Sequence, residues 1–211
     1  METALSVMTL FHNLLPTDLH PEASFSAAHC VNTCYYNRTC ASVFYDSILK
    51  LCYQSNTWFD DKVAGLTTQI GVSYVIFRRL DCPMGWTFYK PAAKCFNLNQ
   101  TRKSNSDAKS SCVANGGRLF NIHSAEENAV AETVMKRQGS GVWIGLQKGE
   151  SWTWHKGTDV DYTYWSSPKG GGQCATFSKT AKKWLTKKCG SPFPHLCEIV
   201  LQKGQDYCAV P

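Results

Sequence analysis

Eleven cysteines in 211 residues constrain this chain more than any other feature. A reducing cytosol rarely tolerates that density, and the cysteines lie in separated clusters with no paired CxxC. They read as the disulfide framework of a secreted or lumenal protein. At 43% hydrophobic and 18% charged the chain has enough apolar surface for a core, which excludes disorder. No apolar run approaches the roughly 20 residues that cross a bilayer, so no transmembrane segment is expected. The opening stretch METALSVMTLFHNLL has a Glu at position 2 and no positive n-region, so a signal peptide is not clearly present. Residues 1–19 are expected to be either a remnant of a leader or a first strand.

Charge and tryptophan divide the chain in two. Lys and Arg fall one short of Asp and Glu in residues 1–80 and exceed them by seven in residues 81–211. Trp58 stands alone in the first part, whereas Trp86, Trp143, Trp152, Trp154, Trp165 and Trp184 fall in the second. Both shifts place a boundary near Leu80-Asp81, giving domains over 20–80 and 81–200 and a tail over 201–211.

In the first part, SFSAAHCVNTCYYN from Ser24 begins with a helix cap and sets Cys30 and Cys34 four apart, on one face of a helix. Cys40 and Cys52 flank the strand-like Ser42–Tyr45, and Val72–Phe77 reads as a second strand. Four cysteines permit three connectivities, so spacing alone leaves the pairing open. His29 beside Cys30 has no second Cys/His group at ligand spacing in this half, so no metal site is expected. The pattern Cys30-x3-Cys34-x5-Cys40-x3-Phe44-Tyr45, followed by Cys52, resembles the core of PAN/apple modules over about residues 20–80. That resemblance implies Cys30–Cys52 and Cys34–Cys40, and a role in protein or carbohydrate contacts. Asn37-Arg38-Thr39 and Asn99-Gln100-Thr101 are N-glycosylation acceptors for a secreted chain, at Asn37 and Asn99.

The second part opens with a hairpin-like stretch from Cys82-Pro-Met-Gly-Trp86 to Cys95. Helices are expected at Ser106–Asn115 and Ser124–Gln138, the latter with a Ser124/Glu127 capping box and a buried face of Ala129, Val130, Thr133 and Val134. Short strands follow at Gly141–Leu146 and Ser151–Trp154. Cys82-x3-Trp86, Ala108-x3-Cys112-x3-Gly116-Gly117-Arg118-Leu119, Trp143-Ile144-Gly145-Leu146, Trp152-x-Trp154, Trp165, Cys174, Trp184, Cys189 and Pro194-x2-Cys197-Glu198 stand in one order. In that order they resemble a C-type lectin-like domain of the long form, over about residues 82–200. The resemblance implies an α+β fold stapled by Cys82–Cys95, Cys112–Cys197 and Cys174–Cys189. It leaves Cys208 unpaired, for which an intermolecular disulfide in a homodimer is the expectation.

Sugar-binding members of that family hold calcium through carboxylates and amides, as a hard cation wanting 6–8 oxygen ligands requires. Where the family carries Glu-Pro-Asn or Gln-Pro-Asp, this chain reads Ser167-Pro168-Lys169. Before Cys174 it reads Gly170-Gly171-Gly172-Gln173, and Trp-Asn-Asp is replaced by Trp184-Leu185-Thr186. Calcium is therefore not expected at the usual site, where Ser167, Gln173 and Thr186 leave only neutral donors. Asp159 and Asp161 are candidates for a second calcium site, although a polar turn explains them as well.

The segment 179–188 holds Lys179, Lys182, Lys183, Lys187 and Lys188 around Trp184 without an acidic residue, and with Lys169 it forms an electrostatic footprint for an acidic partner. A solvated flank of a buried Trp184-Leu185 is the plainer account of the same lysines. HExxH, GxSxG and Walker motifs are absent, and His123, His155 and His195 lack a nucleophile partner, so no enzyme is expected. The sequence thus describes a secreted, two-domain, non-enzymatic recognition protein binding an extracellular glycan or protein largely without calcium, and not nucleic acid. The alternatives are a calcium-dependent lectin with substituted ligands and a structural matrix component.

Overall fold

The opening segment forms a long strand, β1 (Leu5–Pro16), paired antiparallel with β5 (Leu66–Arg79). This computed structural model describes residues 5–57, 59, 65–79, 82–136, 141–155, 157–167 and 171–201. Its contacts divide the chain into one unit of residues 1–95 with 200–211, and a second of residues 96–199. The division falls at Cys95–Phe96, later than the compositional shift at 80–81, because Cys82 and Phe88 pack against the first unit's core. Leu80 and Asp81 themselves lie outside the described residues.

The first unit adds β2 (Pro21–Ala23), α1 (Ala27–Tyr36), β3 (Ser42–Asp46), β4 (Leu51–Ser55) and β6 (Thr87–Tyr89). Five strands form one antiparallel sheet in the order β1-β5-β3-β4-β2. Central β3 is buried along its length, so alternate side chains feed two cores. Val43 and Tyr45 join Val75, Phe77 and the helix cysteines on one face, and Phe44 joins Tyr53, Tyr74 and Ile76 on the other. Helix α1 starts at Ser26, not Ser24, because the Ser26 hydroxyl accepts from His29 N at 3.1 Å while Ser24 reaches the His29 ring. Its buried residues are Cys30 and Cys34, bonded to Cys52 and Cys40.

Two long-range polar contacts complete this unit. Lys90 Nζ donates to the carbonyls of Cys34 and Asn37, both at 2.7 Å, and of Cys40 at 3.2 Å, closing the C-terminal end of α1. Burial pushes that ammonium down to about 8. Asp46, 1% exposed, accepts from Ile48 N and Leu49 N at 2.8 Å and from Gln69 Nε2 at 2.6 Å, fixing the β3–β4 turn.

In the second unit β7 (Lys94–Lys103), α2 (Asn105–Ala114), β8 (Arg118–Leu119), α3 (Ala125–Lys136), β9 (Val142–Lys148), β10 (Trp152–Trp154), β11 (Cys174–Ser178), β12 (Lys183–Lys187) and β13 (Phe193–Val200) follow in turn. The sheet runs β12-β11-β9-β13-β7, with β10 paired to β9 and β8 to β13. Ser124 Oγ accepts from Glu127 N at 3.2 Å, and the Glu127 carboxylate reaches back one residue further, to His123 N at 2.8 Å. Val130, Thr133 and Val134 are buried and Ala129 is half-buried, as the helical spacing implies. Cys112–Cys197 ties α2 to β13 across 85 residues, worth about 4.6 kcal/mol by loop entropy. Cys82–Cys95 and Cys174–Cys189 complete the bonds, and all five pairings coincide with those the two resemblances imply. Arg118 Nε meets the fully buried Glu198 carboxylate at 2.7 Å.

Replacing Asp46 by Ala leaves two turn amides and Gln69 without their acceptor and is expected to cost about 2 kcal/mol or more in urea unfolding. Burial raises the Asp46 carboxyl, but the bonds from Leu49, Gln69 and Ile48 outweigh it and hold the group below its ordinary value. Its contribution is therefore present above the ordinary aspartate range and lost as pH falls through the lowered folded value, a slope that Asp46→Ala should flatten.

Candidate functional site

Trp184 in the middle of β12 is fully buried, and its Nε1 donates to Asn128 Oδ1 at 2.9 Å. Trp154, Tyr162 and Trp165 meet its ring edge-on, with centroids at 5.4, 5.8 and 5.6 Å. Its main chain is held on the strand's outer side too, Trp184 N donating to Tyr164 O and Ser166 N donating to Trp184 O. With Trp184 and Thr186 facing inward, strand alternation turns Lys183, Leu185 and Lys187 to the other face, where all three are half-buried. Over four residues at strand rise, Lys183 and Lys187 stand about 13 Å apart.

Lys183 Nζ lies 3.5 Å above the centre of the Tyr164 ring, a cation–π contact that fixes the charge. Lys179 and Lys182 are exposed at the β11–β12 turn, where Lys182 takes a left-handed conformation at φ 49°, and Lys188 is exposed beyond the other end. Lys183 and Lys187 thus share one face of β12, and Lys179, Lys182 and Lys188 stand beyond its two ends. Lys169, named with them from the sequence, lies outside the described residues, as do Pro168 and Cys208.

The family's calcium positions are brought together only in part. Thr186 is buried, and its Oγ1 accepts from Gly172 N at 3.2 Å, so the hydroxyl is engaged with main chain. A Cβ built on Gly172 would collide with the Lys187 main chain. No side chain can occupy position 172 without moving β12. Leu185 points to the opposite face from Thr186, and Ser167 and Gln173 are not buried.

Beside Thr186 opens a cleft of about 400 Å³. Lys148, Gly149 and Trp152 of the β9–β10 hairpin form one wall, and Gly171, Gly172 and Gln173 form the other. Trp152 also packs on Trp165 at 4.8 Å. Composition did not reveal Lys148 and Trp152 as wall residues; the hairpin register that sets Lys148 opposite Trp152 does.

Asp161 Oδ1 is 2.7 Å from His123 Nδ1, and that hydrogen bond holds its carboxyl below the ordinary range. Among the described residues, Asp159 and Asp161 belong to no group of three metal-ligating side chains. His155 is buried and pushed down to about 4 by burial first and then by Lys109 and Arg118, so it is neutral at physiological pH. Thr39 N and Thr101 N each bond the side-chain oxygen of the acceptor asparagine two residues before, at Asn37 and Asn99.

The family model described as the Lectin C-type domain matches residues 101–199. One polypeptide of the snaclec coagulation factor IX/factor X-binding protein of Echis carinatus is 33% identical over 122 residues, covering 54% of this chain and 94% of that one. A type-2 ice-structuring protein of Brachyopsis segaliensis is 34% identical over 116 residues, covering 52% of this chain and 66% of the relative. A solved calcium-independent type II antifreeze protein is 29% identical with a TM-score of 0.50, covering 56% of this chain and 94% of that chain. The chain belongs to the C-type lectin-like family through its second unit.

Gly172→Ala is expected to lower the thermal midpoint, through about 1–3 kcal/mol of overpacking against β12. Combining Gly172→Glu with Leu185→Asn and Thr186→Asp is expected to unfold the cleft wall without producing calcium-dependent stabilisation, as read by thermal unfolding with calcium and with chelator.

Proposed function

We propose that this is a secreted, non-enzymatic recognition protein whose C-type lectin-like unit binds an anionic carbohydrate without calcium. The observation that carries this reading is the lysine cluster. Lys183 and Lys187 share one face of β12 at strand spacing and Lys179, Lys182 and Lys188 stand at its two ends, with no acid between Lys179 and Lys188. A repeating polyanion such as a sulfated chain presents charge at intervals along its length, which suits such a cluster better than a compact ligand does. Trp152 and Gln173 in the neighbouring cleft offer an aromatic face and an amide to a sugar ring reaching past Lys187. Sealing of position 172 and engagement of Thr186 favour binding without the metal. The existence of a calcium-independent antifreeze relative is consistent with a scaffold that works in that way.

The disulfide density supports secretion. In this reading the first unit, with one helix pinned to a five-stranded sheet by Cys30–Cys52 and Cys34–Cys40, is a PAN/apple-like module that adds a second contact surface, and Cys208 joins two chains. An acidic protein surface is the alternative ligand for the same lysines, and the coagulation-factor-binding snaclec is a relative whose name records a protein target.

The test is binding of the oxidised full chain to immobilised heparin-like chains at low and high salt, with calcium and with chelator. The expected result is binding indifferent to chelator, weakened steeply by salt, and reduced roughly tenfold or more by joint Lys→Ala changes at 179, 182, 183, 187 and 188. Binding lost in chelator and kept in salt contradicts the reading. Silence on anionic glycans with salt-sensitive capture of an acidic protein redirects it to a protein ligand.

A further inference from the structure

A groove of about 700 Å³ runs along α2 in the second unit and shares no residue with the cleft beside Thr186. The end of β7 contributes Arg102 and Lys103, α2 contributes Asp107, Ser110 and Ser111, and the turn between β12 and β13 contributes Gly190 and Pro192. Main-chain acceptors of that turn tie it to the other elements. Asn105 N donates to Cys189 O at 2.8 Å, and Arg102 Nε donates to Pro192 O at 3.3 Å, with its guanidinium carbon 6.0 Å from the centre of the Phe193 ring. Cys189 is also bonded to Cys174 on β11. The sides of the groove are therefore held before any ligand arrives, which lowers the ordering cost of binding.

Its chemistry selects a hydrophilic anion. Of its lining side chains only Ala114 and Pro192 lack a polar atom, so it offers no apolar face to a lipid or a hydrophobic peptide. Ser110 and Ser111 bring hydroxyls that donate to sulfate, carboxylate or sugar oxygens. Asp107 is the only acid among the described residues that line it, and its carboxylate accepts from the Ser104 hydroxyl at 2.7 Å. Lys188 precedes Gly190 by two residues, no more than about 7 Å of chain. The positive charge of β12 and its ends thus runs on to Arg102 and Lys103, and these three cations outnumber the one carboxylate.

We propose that this groove is a second binding site for the anionic carbohydrate held by the lysines of β12, reached by a chain that passes Lys188. The site rests on the anionic-glycan reading and narrows the ligand to an extended chain charged along its length. Arg102 and Lys103 pair with its sulfate or carboxylate groups, and Ser110 and Ser111 hydrogen-bond to it from α2. A short oligosaccharide occupies the β12 face alone. A longer one occupies both places, and its second contact forms within the complex already made, so affinity rises with chain length.

The test measures the affinity of the oxidised full chain for a sulfated heparin tetrasaccharide and a dodecasaccharide at low salt. Wild type should bind the dodecasaccharide about tenfold or more tighter than the tetrasaccharide. Arg102→Ala/Lys103→Ala and, separately, Ser110→Glu/Ser111→Glu should remove most of that gain while leaving tetrasaccharide affinity within about twofold of wild type. Joint Lys→Ala change at 179, 182, 183, 187 and 188 should weaken both lengths. Circular dichroism checks the fold of each variant, and Arg102→Gln/Lys103→Gln replaces the alanine pair if that pair does not fold. A length gain unchanged in both groove variants overturns the proposal and leaves the β12 reading standing, as does equal weakening of both lengths by the groove variants. Failure of wild type to bind either oligosaccharide contradicts the anionic-glycan reading itself, and the groove site with it.

Discussion

The burial of Trp184 is the interaction on which the second unit's proposed binding face depends. Its ring is enclosed by Trp154, Tyr162 and Trp165, its indole N–H is bound by Asn128, and its main chain is bonded to both Tyr164 and Ser166. β12 therefore has one register and one orientation, and a one-residue slip would turn Lys183 and Lys187 inward. A buried aromatic thus fixes where the positive charges stand, although it touches no ligand itself. Fixing lysines on a rigid strand also lowers the ordering cost of an encounter with a polyanion.

In the proposed reading, the same strand explains what the fold has given up. Calcium coordination needs oxygen ligands converging from β12 and from the segment before Cys174, and in this reading the cleft between them offers too few. Gly172 sits against the Lys187 main chain, Thr186 bonds the Gly172 amide, and Leu185 faces away. Loss of the ligands and closeness of the backbone reinforce each other, since a glycine at 172 permits an approach that any carboxylate-bearing residue would forbid. In this reading the lectin-like scaffold persists with fixed lysines serving in place of a bound cation.

Much of this was legible in the sequence because the residues concerned have few tolerable environments. Paired cysteines, buried tryptophans and the Ser124 helix start mark their positions by chemistry that admits little alternative. Less visible were features set by long-range register. The opening stretch could be read as a leader remnant or a first strand, Ser24 and Ser26 compete for one helix cap, and Lys90 closes a helix more than fifty residues earlier in the chain. At the site, the lysines could be read directly and the degenerate calcium positions through the resemblance. The steric seal at Gly172, the Tyr164 ring beneath Lys183 and the wall of Lys148 and Trp152 required the strands to be paired first.

The proposal that the C-type lectin-like unit works without calcium is tested most directly by isothermal titration of the metal-free oxidised chain with calcium chloride. No saturable heat is expected at millimolar calcium. A saturable one-to-one binding isotherm, abolished by substitution at Gln173 or Ser167, would contradict the proposal.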